Sequence, residues 1–143
     1  MKYWINILVI LGVIFLIFNF IKNTKSDSKK KQELVSNKYF TIAKLDSIKD
    51  TYDSGKYTSL IYRFYYLYEY HNTLYHDSST YRREEFYKFS TNKRNQIINK
   101  NFPIVISTKN PLNNQCLFLR TDYAQFNLAF PDSLKWTEKL FLL

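Results

Sequence analysis

The chain has 143 residues, a formal charge of +9 and 19% aromatic residues, which allows one small domain plus appendages. A single cysteine excludes an intrachain disulfide and a cysteine-based zinc cage. With only two glycines, phosphate-cradling loops, which need backbone tolerant of positive φ, are nearly excluded as well. Lys, Asn, Ile, Tyr and Phe dominate and all have codons rich in A and T, so the basic charge does not by itself argue for nucleic acid.

Ile5 to Ile21, INILVILGVIFLIFNFI, carries no charge. With Tyr3 and Trp4 as interfacial residues it is long enough to cross a hydrocarbon core of ~30 Å at 1.5 Å per residue. Asn23 to Ser28 offers no small-x-small cleavage site, so an uncleaved anchor over residues 1–22 is expected rather than a signal peptide. Lys22, Lys25, Lys29, Lys30 and Lys31 follow the span and only Lys2 precedes it. Positive-inside bias then places the main domain on the cytoplasmic side of a bacterial membrane, while the short Met-Lys start favours the opposite side. The same five lysines are candidate contacts for anionic lipid headgroups. Residues 23–37 read as a polar tether to a domain over 38–143.

Tyr39 to Ile48 alternates and is expected as the first strand, with a turn over Asp50 to Gly55. The organising stretch is Lys56 to Tyr70, KYTSLIYRFYYLYEY. Period two puts Leu60, Tyr62, Phe64, Tyr66, Tyr68 and Tyr70 on one face and Ser59, Ile61, Arg63, Tyr65, Leu67 and Glu69 on the other. A buried helix is the competing reading, but Tyr and Phe lose rotamer entropy in helices and gain cross-strand packing in sheets. Asn72 is expected at positive φ in a hairpin to a strand over Thr73 to Asp77, ended by Ser78 to Thr80. Tyr81 to Asn101 reads as a short helix or irregular insertion, helix-compatible in its first half. Phe102 to Thr108 and Gln115 to Arg120 form a second hairpin around the Lys109 to Asn114 turn. A tail over 131–143 starts a helix capped by Asp132 or Ser133, with Leu134, Trp136 and Leu140 packing down. The fold class expected is mainly β: an N-terminal membrane helix and a small antiparallel sheet or barrel-like domain of about five strands with minor helical segments.

TIAKLDSI, the tyrosine-rich hairpin ending LYHDSS, FPIVISTKNPLNNQCLFL and the late PDSLK resemble small uncharacterised single-span proteins of flavobacteria and their relatives. The resemblance covers roughly Thr41 to Lys135 and departs from that pattern at His71-Asn72 and Asn101-Phe102, where those proteins carry glycines, and in the longer insertion. It implies a membrane-tethered, β-rich domain and carries over no functional residues.

For chemistry, His71, His76 and Asp77 lack a supporting third ligand spacing and read as solvated hairpin residues, so no metal or cofactor is expected. Glu84-Glu85 are helix neighbours about 100° apart and cannot converge as a carboxylate pair. Cys116 reads as a buried, inert thiol. Tyr62, Phe64, Tyr66 and Tyr68 beside Arg63 would suit base stacking, but a small domain must bury one face, so nucleic acid is set aside. The expectation is a non-enzymatic, membrane-tethered interaction or accessory protein of the cell envelope. Its partners are the bilayer and a protein, the latter met through Ser59, Ile61, Arg63, Tyr65 and Leu67. The alternative is an envelope hydrolase or a glycan- or peptide-binding domain whose site is assembled only in the fold.

Overall fold

A computed structural model describes residues 13, 15–16, 28–52, 60–86 and 89–141. Helix α1 (28–36) leads into β1 (Lys38–Tyr52), β2 (Leu60–Tyr70) and β3 (Thr73–Arg82). A 3-10 turn (Arg83–Phe86) and α2 (Thr91–Ile97) precede β4 (Asn101–Ser107) and β5 (Asn114–Cys116). Then come α3 (Arg120–Ala124), a 3-10 turn (Asp132–Leu134) and α4 (Lys135–Phe141). The sheet is antiparallel in the order β3-β2-β1-β4-β5, curled into a nearly closed, barrel-like shape.

The period-two face of the aromatic strand sets the core. Tyr62, Phe64, Tyr66, Tyr68 and Tyr70 are buried, while Arg63 and Glu69 are exposed and Ile61, Tyr65 and Leu67 half-buried. Phe64, at 0% exposure, meets the rings of Tyr81, Phe86, Phe89 and Phe118 at centroid distances of 5.0 to 6.0 Å. Edge, tilted and stacked geometries of this kind add to the area buried. Long β1 joins both halves of the sheet. Its first half pairs with β4 and its second with β2, and the register shifts between Leu45 and Ser47. Asp46 is the extra residue, and beside it Leu45 N–H bonds Lys100 O at 2.9 Å while Asn99 N–H bonds Leu45 O at 2.8 Å. The bulge reverses which parity of residue faces outward: Lys44 before it, Ser47 and Lys49 after it.

Several boundaries differ from the sequence expectation. His71 (φ 50) joins Asn72 (φ 59) at positive φ, giving the two-residue turn with both residues left-handed. Ser78 to Thr80 do not end β3, because Ser78, Ser79 and Thr80 pair with Tyr65, Phe64 and Arg63 of a long partner. In the insertion the α-helix forms in the second half, where the Ser90 side chain accepts from Lys93 N–H, and Ile97 is buried. The first half forms a 3-10 turn that seats Phe86 and, just beyond it, Phe89 in the core. β5 stops at Cys116: Leu117 N–H reaches Pro103 O, and Asp122 takes the N–H groups of Phe118 and Leu119 to open α3. The 3-10 turn that opens the tail starts at Pro131, with no side-chain cap from Asp132 or Ser133. The turn buries Leu134, and α4, which follows it, buries Thr137 and leaves Trp136 39% exposed.

α1 packs on the sheet through buried Leu34, a Ser107 Oγ to Glu33 Oε1 bond of 2.6 Å and an Asn113 Nδ2 to Lys30 O bond of 2.8 Å. Lys29, Lys30 and Lys31 are exposed on it. Among the described residues no helix is long and apolar enough to cross a membrane. The span expected at Ile5 to Ile21 lies outside the described residues except Val13, Phe15 and Leu16, which are helical and exposed; Lys22 and Lys25 lie outside them too.

Candidate interaction face and polar seam

On the outer face of β1, β2 and β3 the register aligns four rows: Thr51–Ile61–Arg82, Lys49–Arg63–Thr80, Ser47–Tyr65–Ser78 and Lys44–Leu67–His76. The sequence-predicted residues Ile61, Arg63, Tyr65 and Leu67 therefore form the central column; Ser59 lies outside the described residues. The strands on both sides supply what the sequence could not show. The His76 ring stacks on Tyr65 at 5.9 Å and 17°, and Lys49 Nζ stands 5.2 Å from the Tyr65 centroid. Both are diagonal neighbours, within reach of long side chains across a sheet. Tyr65 is thus held at the middle of the face, with Lys44, Lys49, Arg63 and Arg82 around it, Glu69 at one end and Asp46 at the bulge. Lys44, Lys49 and Arg63 enter no ion pair among the described residues.

The second polar site is the seam where the edges of β3 and β5 face each other. Side chains bridge it. Tyr66 Oη bonds Ser79 Oγ at 3.1 Å and donates to Asn114 Oδ1 at 2.8 Å, and Asn114 Nδ2 donates to Asp77 Oδ2 at 2.7 Å. Further along, Tyr81 Oη donates to Asp122 Oδ2 at 3.0 Å, and Cys116 O lies 3.3 Å from the same hydroxyl. Asp122 Oδ2 also accepts Phe118 N–H at 2.9 Å and Leu119 N–H at 2.8 Å, and Oδ1 accepts from Gln115 Nε2 at 3.3 Å. This carboxylate caps the first turn of α3, a task Leu119 cannot share because it has no side-chain acceptor. A cleft of about 360 Å³ opens beside it, lined by Ser79, Thr80, Asn114, Gln115, Asp122 and Gln125.

No family model, curated protein or solved structure matches the chain.

Burial pushes the Asp122 carboxyl above its ordinary range against the pull of its four hydrogen bonds, and burial together with the Asp122 charge pushes Tyr81 up. Tyr68, which donates to Pro111 O at 2.8 Å, is pushed up to about 12, chiefly by burial. The histidines are not brought together. His71 sits in the β2–β3 turn against Tyr70, His76 lies on the outer face, and Asp77 bonds Asn114 in the seam. Among the described residues no group of three His, Cys, Asp or Glu is placed to hold a metal ion. Glu84 is exposed in the 3-10 turn. Cys116 is fully buried, its thiol raised by burial and 3.6 Å from Pro103 O. Sequence reading missed Tyr81, Asn114 and Asp122. Only Asp122 left a trace, as an acid in the first turn after an apolar run.

Proposed function

We propose that the chain is a membrane-tethered, non-enzymatic interaction protein of the bacterial envelope that holds a protein partner on the outer face of β1, β2 and β3. The observation that carries this reading is Tyr65, fixed between His76 and Lys49 on a half-buried column ringed by cations. Tyr and Arg are the residues that concentrate binding energy when a partner dehydrates them. The surrounding charge suits an acidic partner segment with an apolar anchor. The uncharged stretch Ile5 to Ile21 supplies the tether, and the lysines after it favour a cytoplasmic domain.

Asp122, the one carboxylate buried among the described residues, has both oxygens engaged in capping and seam closure, which supports a structural role over acid-base work. The cleft beside it favours a second reading, a pocket for a small polar ligand such as a glycan or peptide, because its lining is rich in hydroxyl and amide groups without a cation.

Tyr65→Ala and Arg63→Glu should each abolish complementation of a deletion strain at unchanged membrane level, whereas His71→Ala and Glu84→Ala retain it. Loss with His71→Ala or Glu84→Ala while the Tyr65 and Arg63 variants complement would overturn the reading. Loss with Gln125→Trp alone would move it to the cleft.

A further inference from the structure

We infer that the outward row of β1's first half, Lys38, Phe40, Ile42 and Lys44, rests on an anionic lipid surface. All four residues are exposed, with Phe40 at 42% and Ile42 at 61%. They are successive same-side positions on a strand, so the two apolar side chains stand together between two ammonium groups. A cation, an aromatic, an aliphatic and a cation in line is the pattern of an interfacial contact, in which apolar groups enter the headgroup boundary and lysines meet lipid phosphates. The bulge at Asp46 ends this row, so it meets the partner face only at Lys44, beyond which the outward β1 residues of that face are Ser47, Lys49 and Thr51.

Position in the chain selects the bilayer over other occupants, an argument that rests on the anchor proposed for residues 5–21. Residues 22–37 are all that separate that stretch from Lys38, and nine of them, 28–36, are helical and dock against the sheet. β1 therefore begins close to where the chain leaves the membrane, and the short tether holds the row at a high effective concentration beside the headgroups. Lys29, Lys30 and Lys31, exposed on α1, lie between that stretch and the row in the chain and add to the basic charge there. The acids nearest the row are Asp46 at the bulge, Glu69 on β2 and Glu33, which bonds Ser107.

The test uses the full chain in nanodiscs of phosphatidylcholine with or without phosphatidylglycerol, carrying a spin label at Ile42→Cys. Native Cys116 is buried. The control is Tyr52→Cys, 69% exposed and roughly 33 Å further along the same strand. In anionic discs the Ile42 label should show several-fold less nickel collision than the Tyr52 label and more oxygen collision. Lys38→Glu with Lys44→Glu should abolish that contrast. A label at Ile42 as open to nickel as at Tyr52 in anionic discs overturns the inference, as does one shielded from nickel and oxygen alike, which would mean a protein covers the row. Extraction of the chain from membranes by carbonate would instead defeat the anchor reading itself, so the two failures are distinguishable.

Discussion

Replacing Tyr81 by Phe isolates the bond that closes the seam. The ring keeps its contacts to Phe64, Phe86 and Phe118 at 5.3, 5.3 and 5.8 Å, so no cavity opens. What is lost is one hydroxyl proton, held chiefly by Asp122 Oδ2 and shared with Cys116 O. A hydrogen bond to a charged acceptor contributes about 1.5–3 kcal/mol, and relief from burying the hydroxyl itself offsets part of that. A net loss of about 1–2 kcal/mol follows, or a fall in Tm of roughly 4–10 °C for a domain of this size. Because burial raises the folded pKa of Asp122 above its unfolded value, stability declines as pH rises from the ordinary carboxylate range through that folded pKa. Removing a donor raises the folded pKa further. The gap between variant and parent should therefore widen with rising pH, and shrink in acid when Asp122 is protonated. Urea melts of residues 28–143, followed by circular dichroism across a pH series, measure it. An unchanged midpoint at neutral pH, or a loss that is constant with pH, would refute the claim that this bond closes the barrel.

Cys116, fully buried with a raised thiol pKa, should resist iodoacetamide in the native state and react at the unfolding rate; rapid native alkylation would show that the β5 edge is open. In the β2–β3 turn, where both residues sit at positive φ, His71→Asn with Asn72→Gly should raise stability by about 0.5–1 kcal/mol, read as a higher urea midpoint. Arg94 pairs with Asp50 and lies 4.8 Å over the Tyr62 ring. Arg94→Gln should cost about 1 kcal/mol; full recovery of the difference in high salt would mean that the ion pair alone acts.

The aromatic strand was legible because its alternation is set by burial of one face, and Tyr62 to Tyr70 kept it without a break. Asn72 was legible from its tolerance of the left-handed region. β3 was misjudged at Ser78 to Thr80, where pairing with a long neighbour overrides weak local β preference. The bulge at Asp46 left no mark, since it depends on the turn at Asn99 and Lys100, more than fifty residues later. The seam was hidden for the same reason: Tyr81 and Asp122 are separated by 41 positions, and neither has meaning without the other. The outward alternation of Ile61, Arg63, Tyr65 and Leu67 is legible in the sequence, but Lys49 and His76, which hold Tyr65, come from strands whose register only the fold supplies.

The partner face is tested most directly by placing a photo-crosslinking amino acid at Tyr65 in the full chain and irradiating intact membranes. The account predicts a discrete adduct with one protein, lost when Lys49→Glu and Arg63→Glu are added. No adduct from Tyr65, with a discrete one from Gln125 beside the seam cleft, would contradict it.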